Sequence, residues 1–183
     1  MHRLIQHLEI LASPDRGDRG ALAVLRRGVS APPGMYVPMF QYILPYLTEE
    51  EQEYHFSLFC QVAALFAYYP LAGGRGNLGD HMRQTGRQGP DSLVVAEALE
   101  RRFITLLRAH TDDLPNHLFR AIAFLKSKGI PVNWGQLLLD LTQWESNSDM
   151  VRKAWARSFW GYFKEQAETE LIAATETNSE LEE

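Results

Sequence analysis

Apolar residues recur along this chain at intervals of three and four, the period of a helix with one face turned inward. Leu4, Leu8 and Leu11, with Ile5 beside them, mark a first helix. Residues 16–27 predict a second, with Leu22, Val24 and Leu25 on its inner side and Gly28 as its stop. Pro32-Pro33 makes Ser30–Gly34 a rigid loop. Pro38 suits the first turn of a third helix carrying Phe40, Ile43 and Leu44. Thr48 and Glu51 stand in capping-box positions. They open a long helix through about Tyr68, with Phe56, Phe59, Ala63 and Phe66 at helical spacing.

The pattern breaks at residues 73–90, which hold Gly73, Gly74, Gly76, Gly79, Gly86 and Gly89 with Arg75, Arg83 and Arg87. That composition predicts a long, mobile, irregular connection. Helical spacing then resumes. Asp91 or Ser92 caps a helix to about Ala109. Asp112 or Asp113 caps the next, with Phe119, Ile122 and Leu125 inward and Gly129 as its end. Asn133 caps a helix reading Leu137, Leu138, Leu141 and Trp144, and Ser148 caps a last one carrying Trp155, Phe159 and Phe163. The alternation expected of strands is absent, and no repeat recurs. The expected fold is all-α, about eight helices in two small packed halves. These are residues 1–72 and 91–165, joined by the Gly-rich connection 73–90. The acidic residues 166–183 are too polar to bury and are expected to be disordered.

Charge changes the picture. The formal net charge of −5 would argue against nucleic acid. Yet all 18 Lys and Arg lie in residues 1–164, while residues 165–183 carry seven Glu and no cation. The body therefore has 18 basic and 16 acidic side chains. Fourteen of the cations are Arg, whose planar fork matches phosphate oxygens; a GC-rich genome gives the same bias without function. No apolar run reaches the ~18–20 residues of a membrane span. The N-terminus lacks a signal-peptide core. Cys60, the only cysteine, excludes an internal disulfide and reads as a core thiol of a cytoplasmic protein.

Candidate chemistry is sparse. Gly74-Arg75-Gly76-Asn77-Leu78-Gly79 matches GxGxxG, but no strand pattern precedes it and more glycines follow, so a linker is expected rather than a dinucleotide site. His110 and His117 flank Asp112-Asp113, which would suit a metal-dependent hydrolase; helix-capping acids in a short turn explain the pair better. Glu49, Glu50 and Glu51 complement a helix dipole. His2, His7, His55 and His81 form no ligand spacing. No nucleophile–base set emerges, so neither catalysis nor a cofactor is expected.

Basic groups are the stronger signal. On a helix at ~100° per residue, Arg16, Arg19, Arg26 and Arg27 fall within an arc of roughly 100°. Arg101 and Arg108 share a helix face, with Arg102 at its apolar boundary, although Glu97 and Arg101 also have the spacing of a solvated ion pair. Arg120, Lys126 and Lys128 add charge along the following helix, the two lysines where a helix dipole favours cations anyway. Lys153, Arg157 and Lys164 align beside Trp160, which could stack a base but more often belongs to a core. Several such stripes on a body without catalytic motifs favour a scaffold facing nucleic acid.

Several segments, in order, also resemble a known family. They are Arg19-Gly20-Ala21-Leu22-Ala23-Val24-Leu25-Arg26-Arg27, then Pro38-Met39-Phe40-Gln41-Tyr42-Ile43-Leu44-Pro45, then Glu100-Arg101-Arg102-Phe103-Ile104-Thr105-Leu106-Leu107-Arg108-Ala109. Leu118-Phe119-Arg120-Ala121-Ile122, Gly129-Ile130-Pro131-Val132-Asn133-Trp134 and Leu138-Leu139-Asp140-Leu141-Thr142-Gln143-Trp144 complete the set. The chain is similar to the CasB-type small subunit of the type I-E CRISPR Cascade complex. The resemblance implies an all-helical, non-catalytic subunit, present beside a second copy and other Cascade subunits, with no membrane. It would contact crRNA and target DNA through their backbones and steady the heteroduplex and displaced strand in antiviral defence, leaving sequence to base pairing. Arg26, Arg27, Arg101, Arg102, Arg108 and Arg120 lie on matching segments. A pure assembly module, with those arginines facing neighbouring subunits, is the alternative.

Overall fold

The computed structural model describes residues 2–86 and 97–161. Among these residues the chain forms α1 (Arg3–Leu11), α2 (Arg19–Arg27), α3 (Glu49–Tyr54), α4 (Phe56–Tyr68), α5 (Leu78–Gln84), α6 (Glu97–Leu107), α7 (Leu114–Lys128) and α8 (Trp134–Ala156), and no strand. The all-α expectation holds. Asp91 or Ser92 as a cap, Arg87, Gly89, Phe163, Lys164 and residues 166–183 lie outside the described residues.

Helix α4 is apolar nearly all round and lies at the centre. Phe59, Cys60 and residues 62–67 are buried along it. The amphipathic helices α1 and α2 turn Leu4, Ile5, Leu8, Ala21 and Leu25 toward it. Gly28 ends α2 with φ −60°, not in the left-handed region, and the chain runs on into a 3-10 turn. Close packing is what holds a glycine there, since a Cβ would meet Met39 Sδ at 2.9 Å and Ala64 Cβ at 3.3 Å.

Three helix predictions are revised. The third helix becomes two 3-10 segments, Val37–Tyr42 and Leu44–Tyr46. Ile43 (φ −115°, ψ −54°) separates them, i→i−3 bonds such as Ile43 N–H to Phe40 O at 3.0 Å hold the first, and Pro45 has no N–H with which an α ladder could bond Gln41 O. The long helix from Thr48 divides at His55 (φ −128°). Its capping box is present, with Glu51 N–H on Thr48 Oγ1 at 3.2 Å and Thr48 N–H on Glu51 Oε2 at 2.8 Å. The polar α3 buries no residue, so it has no reason to follow the axis of α4. Within the Gly-rich stretch, α5 forms rather than an irregular connection. Asn77 and Asp80 cap it reciprocally, and Leu78, His81 and Met82 are buried.

In the second part of the chain, Gly129 (φ +67°) closes α7 in the left-handed conformation, as expected. Asp113 holds the N-cap position of α7 without a side-chain bond. Asn133 caps α8 through Gln136 N–H at 3.1 Å. Helix α8 is not straight. Asn147 (φ −150°, ψ 51°) leaves the helical region, one residue before the expected break at Ser148. Asp140 and Trp155 would stand about 22 Å apart along an unbroken helix. Instead Trp155 Nε1 donates to Asp140 Oδ2 at 2.6 Å, so the segment folds back on itself. A π-helical turn, Arg157–Gly161, follows.

The described parts meet along a seam. Residues 68–74 run beside residues 126–134, with Tyr69 Oη donating to Ile130 O (3.0 Å) and Val132 N–H and Trp134 Nε1 both donating to Leu71 O (3.1 and 3.3 Å). The rings of Phe66 and Trp134 meet edge-on at 5.5 Å. Buried side chains on both sides belong to one cluster.

Candidate nucleic-acid interface

Helices α6 and α7 bury complementary stripes: Leu99, Phe103 and Leu106 on one, Leu114, Leu118, Ala121, Ile122 and Leu125 on the other. Helical periodicity then forces Ala98, Arg101, Arg102 and Thr105 to the outer flank of α6, and His117, Arg120, Phe124 and Ser127 to that of α7. These flanks enclose an open groove of about 930 Å³ with apolar floor residues Met82, Leu106, Phe119 and Ala121. Three arginines and a histidine line it, and among the described residues none that lines it is Asp or Glu. The Arg102 guanidinium sits 5.0 Å from the centre of the Phe124 ring. Arg120 has no ion pair among the described residues. Arg101 pairs with Glu97 at 2.6 Å, as the spacing predicts. Both partners are well exposed, and an exposed pair contributes less than about 1 kcal/mol, so a phosphate can displace the carboxylate.

The structure thus brings Arg101, Arg102 and Arg120 together and spreads the other predicted cations. Arg16 lies before α2, not on it, because Asp18 caps the helix by accepting Ala21 N–H at 2.9 Å. Arg19, Arg26 and Arg27 remain exposed on α2. The loop directly after α2 borders a second hollow, of about 650 Å³, whose lining includes Phe119 of the α6–α7 groove. Arg108 is exposed just beyond the end of α6, and Lys128, Lys153 and Arg157 are also exposed.

Two predicted contacts are turned to other uses. Lys126 points away from the groove: its Nζ donates to Tyr68 O at 2.9 Å and lies 3.9 Å from the centre of the Tyr68 ring. Trp160 is no free stacking platform. Its ring packs on Phe103 and Phe159, and its Nε1 donates to Glu100 Oε1 at 3.0 Å. Arg83 of the Gly-rich stretch is likewise engaged, with Nη1 on Ser158 O (3.0 Å) and Nη2 on Asp80 Oδ1 (3.2 Å).

His117 is a groove residue that the charge stripes did not single out. Its signal was present in the spacing, because His117, Arg120, Phe124 and Ser127 recur at three and four along one flank. Among the described residues no cluster of three or more His, Cys, Asp or Glu could hold a metal. The GxGxxG stretch follows a helix and leads into α5, so its glycines serve packing. A Cβ on Gly79 would drive into the Trp155 carbonyl. Burial holds the His81 imidazole below its ordinary pKa, against Asp80 and the Arg75 carbonyl, and Asn133 N–H donates to its Nε2 at 3.3 Å. Burial also pushes the Cys60 thiol up to about 12, which makes it inert. No helix of the described residues is long and apolar enough to cross a membrane.

Known proteins share this architecture. The family model for CRISPR-associated protein Cse2 matches residues 21–160. A CRISPR-associated protein Cse2 from Thermus thermophilus is 32% identical over 146 residues, spanning 77% of this chain and 79% of that protein. The crystal structure of a Cse2-family protein from the same organism, 25% identical, superimposes with a TM-score of 0.69 over 88% of this chain and 99% of that one. The CasB structure from M. ruber, 26% identical, gives 0.68 over 93% and 97%. A chain of a CRISPR RNA-guided surveillance complex has the same fold, with a TM-score of 0.67 at 24% identity over 91% of this chain and 99% of that one. The matched region contains both helices of the arginine-lined groove, and the chain belongs to the CRISPR-associated Cse2 family.

Proposed function

We propose that this chain is a non-catalytic subunit of a CRISPR RNA-guided surveillance complex and that its α6–α7 groove holds the sugar–phosphate backbone of guide–target nucleic acid. The observation that carries this reading is the convergence of Arg101, Arg102 and Arg120 on a groove that, among the described residues, no carboxylate lines. From Ala98 to Leu106 the groove wall runs about 12 Å. That length matches a short stretch of one strand's backbone, a few phosphates long. The guanidinium forks supply charge and shape without reading bases. Binding is then weak for the isolated subunit, independent of sequence and steeply salt-dependent. Arg26 and Arg27 on α2 provide a second, separate contact, and a second copy of the subunit extends the track.

The experiment is an assembled complex carrying Arg102→Ala and Arg120→Ala, titrated with target DNA between 50 and 200 mM salt. Each lost phosphate contact lowers the log–log salt slope by ~0.7–0.9, so the affinity deficit of the pair should be about tenfold larger at 50 mM than at 200 mM salt. Unchanged slope and affinity in an intact complex would remove the groove from the binding surface. Arg26→Ala with Arg27→Ala serves as a parallel pair for the α2 contact.

One observation also favours contacts with neighbouring subunits. Met35 and Val37 are 72% and 67% exposed on the segment after α2, and single-chain packing gives no reason for them. If the arginine variants instead lost subunits from the complex, the assembly-module reading would replace the nucleic-acid one.

A further inference from the structure

The groove is the described surface where guanidinium groups from two helices converge, and the chain leaves the described structure beside it. Phe159 is buried and stacks on Phe103 of α6 at 4.1 Å, while Trp160 bonds to Glu100 of the same helix. The end of the π-helical turn is therefore pinned to α6 one residue before Gly161. Arg101 follows Glu100 by about 100° around that helix, roughly 10 Å of surface at a helix radius of 5–6 Å. Three residues of extended chain cover at most about 10 Å, so a chain leaving Gly161 is long enough to enter the groove from residue 165 onward. From there to residue 183 the sequence holds seven Glu and no cation.

We propose that residues 165–183 dock along the α6–α7 groove against Arg101, Arg102 and Arg120, and compete there with nucleic-acid phosphates. The occupant is chosen by charge and by attachment. It is a polyanion tethered within reach of a groove lined by three arginines, of which one, Arg101, is paired with the exposed Glu97 at its rim, and among the described residues by no carboxylate. The proposal rests on the nucleic-acid reading only for its consequence, since the contact itself is testable without nucleic acid. Tethering sets a millimolar effective concentration, so a segment with an intrinsic Kd of about 0.1 mM would weaken a competing strand by about tenfold. Such a device discards weak, non-specific strands while a fully engaged guide–target duplex displaces the segment.

The test uses the full chain. All seven Glu from Glu165 to Glu183 are changed to Gln, and binding of a fluorescent 20-nucleotide single-stranded DNA is compared with the unaltered chain. Binding about tenfold tighter at 50 mM NaCl is expected, with the gap closing near 0.5 M as screening removes the competition. Equal affinities at low salt overturn the proposal. A second arm reads the contact directly. Spin labels at Ser127→Cys on the groove and Ser179→Cys report a distance, and the buried, inert Cys60 stays unlabelled. A short-distance population that disappears in the seven-Gln chain is expected. A distribution indifferent to the Gln substitutions overturns docking, even if affinity changes. If neither chain binds DNA, the nucleic-acid reading fails and the distance arm still decides the docking.

Discussion

Replacing Trp155 with Phe should destabilise this protein by an amount that depends on pH. Trp155 is fully buried, and its indole N–H donates to Asp140 Oδ2 at 2.6 Å; the other carboxylate oxygen accepts from Gln136 Nε2 at 2.8 Å. Burial raises the Asp140 pKa, while the bonds from Trp155 and Gln136 lower it. Removing the indole donor strands a buried carboxylate oxygen, which costs about 1.5–3 kcal/mol, and the smaller ring forfeits about 1 kcal/mol of packing. The total is about 2.5–4 kcal/mol at pH 7. Because the folded pKa is raised, Asp140 contributes its full stability below the ordinary carboxylate range and loses it as pH rises through the folded pKa. Trp155→Phe raises that pKa further, so its cost should shrink toward pH 5. In an Asp140→Asn background the same substitution strands no charge and should cost only about 2 kcal/mol. Urea unfolding followed by circular dichroism at both pH values completes the cycle. A Trp155→Phe cost below 1 kcal/mol, or one that is the same at pH 5 and 7 and in both backgrounds, would refute the account.

Two further outcomes follow from close contacts. Gly79→Ala should lower stability by about 2–3 kcal/mol, because the new methyl meets the Trp155 backbone, with its carbonyl carbon at 2.8 Å, rather than a side chain that could yield; thermal unfolding measures it, and a neutral result would mean α5 and α8 can separate at no cost. Acidification from pH 7 to 5.5 should also destabilise the fold. His81 is buried neutral with its pKa lowered, so the unfolded chain binds the proton first and stability falls as pH drops through the ordinary histidine range. His81→Gln, which keeps an acceptor for Asn133 N–H, should flatten the dependence of Tm on pH, leaving the part due to His7, whose pKa burial also lowers, and the opposing part due to Asp140, whose pKa is raised.

The periodicity revealed the helices because each buries a stripe of its own. Leu4, Leu8 and Leu11 on α1 and Leu137, Leu138, Leu141 and Trp144 on α8 are buried as the spacing predicts. It was less informative where tertiary packing decides. Breaks at Ile43 and His55 divide helices whose apolar positions are otherwise compatible with continuation. The glycines of 73–86 read as a loop, yet Gly79 is there because α5 and Trp155 approach too closely for a Cβ. The site was half visible. Arg101, Arg102 and Arg120 belonged to different stripes, and only the packing of α6 on α7 makes them one groove. Lys126 and Trp160 satisfied the same sequence criteria but found partners in Tyr68 and Glu100. Nothing local in the sequence distinguishes a cation with an internal partner from one that faces solvent.

The seam between residues 68–74 and 126–134 has a mechanical meaning. Lys126 Nζ on Tyr68 O, Tyr69 Oη on Ile130 O, and Val132 N–H and Trp134 Nε1 on Leu71 O fasten the exit of α4 to the α7–α8 connection at four points. A load applied to α7 at the groove is passed through this strap to α4, around which α1 and α2 are packed. Bending at the strap would break several hydrogen bonds at once and part the Phe66–Trp134 contact. The seam is therefore built as a strut rather than a hinge. Any displacement of one part that leaves these bonds intact would carry the arginines of α2 and those of the groove together.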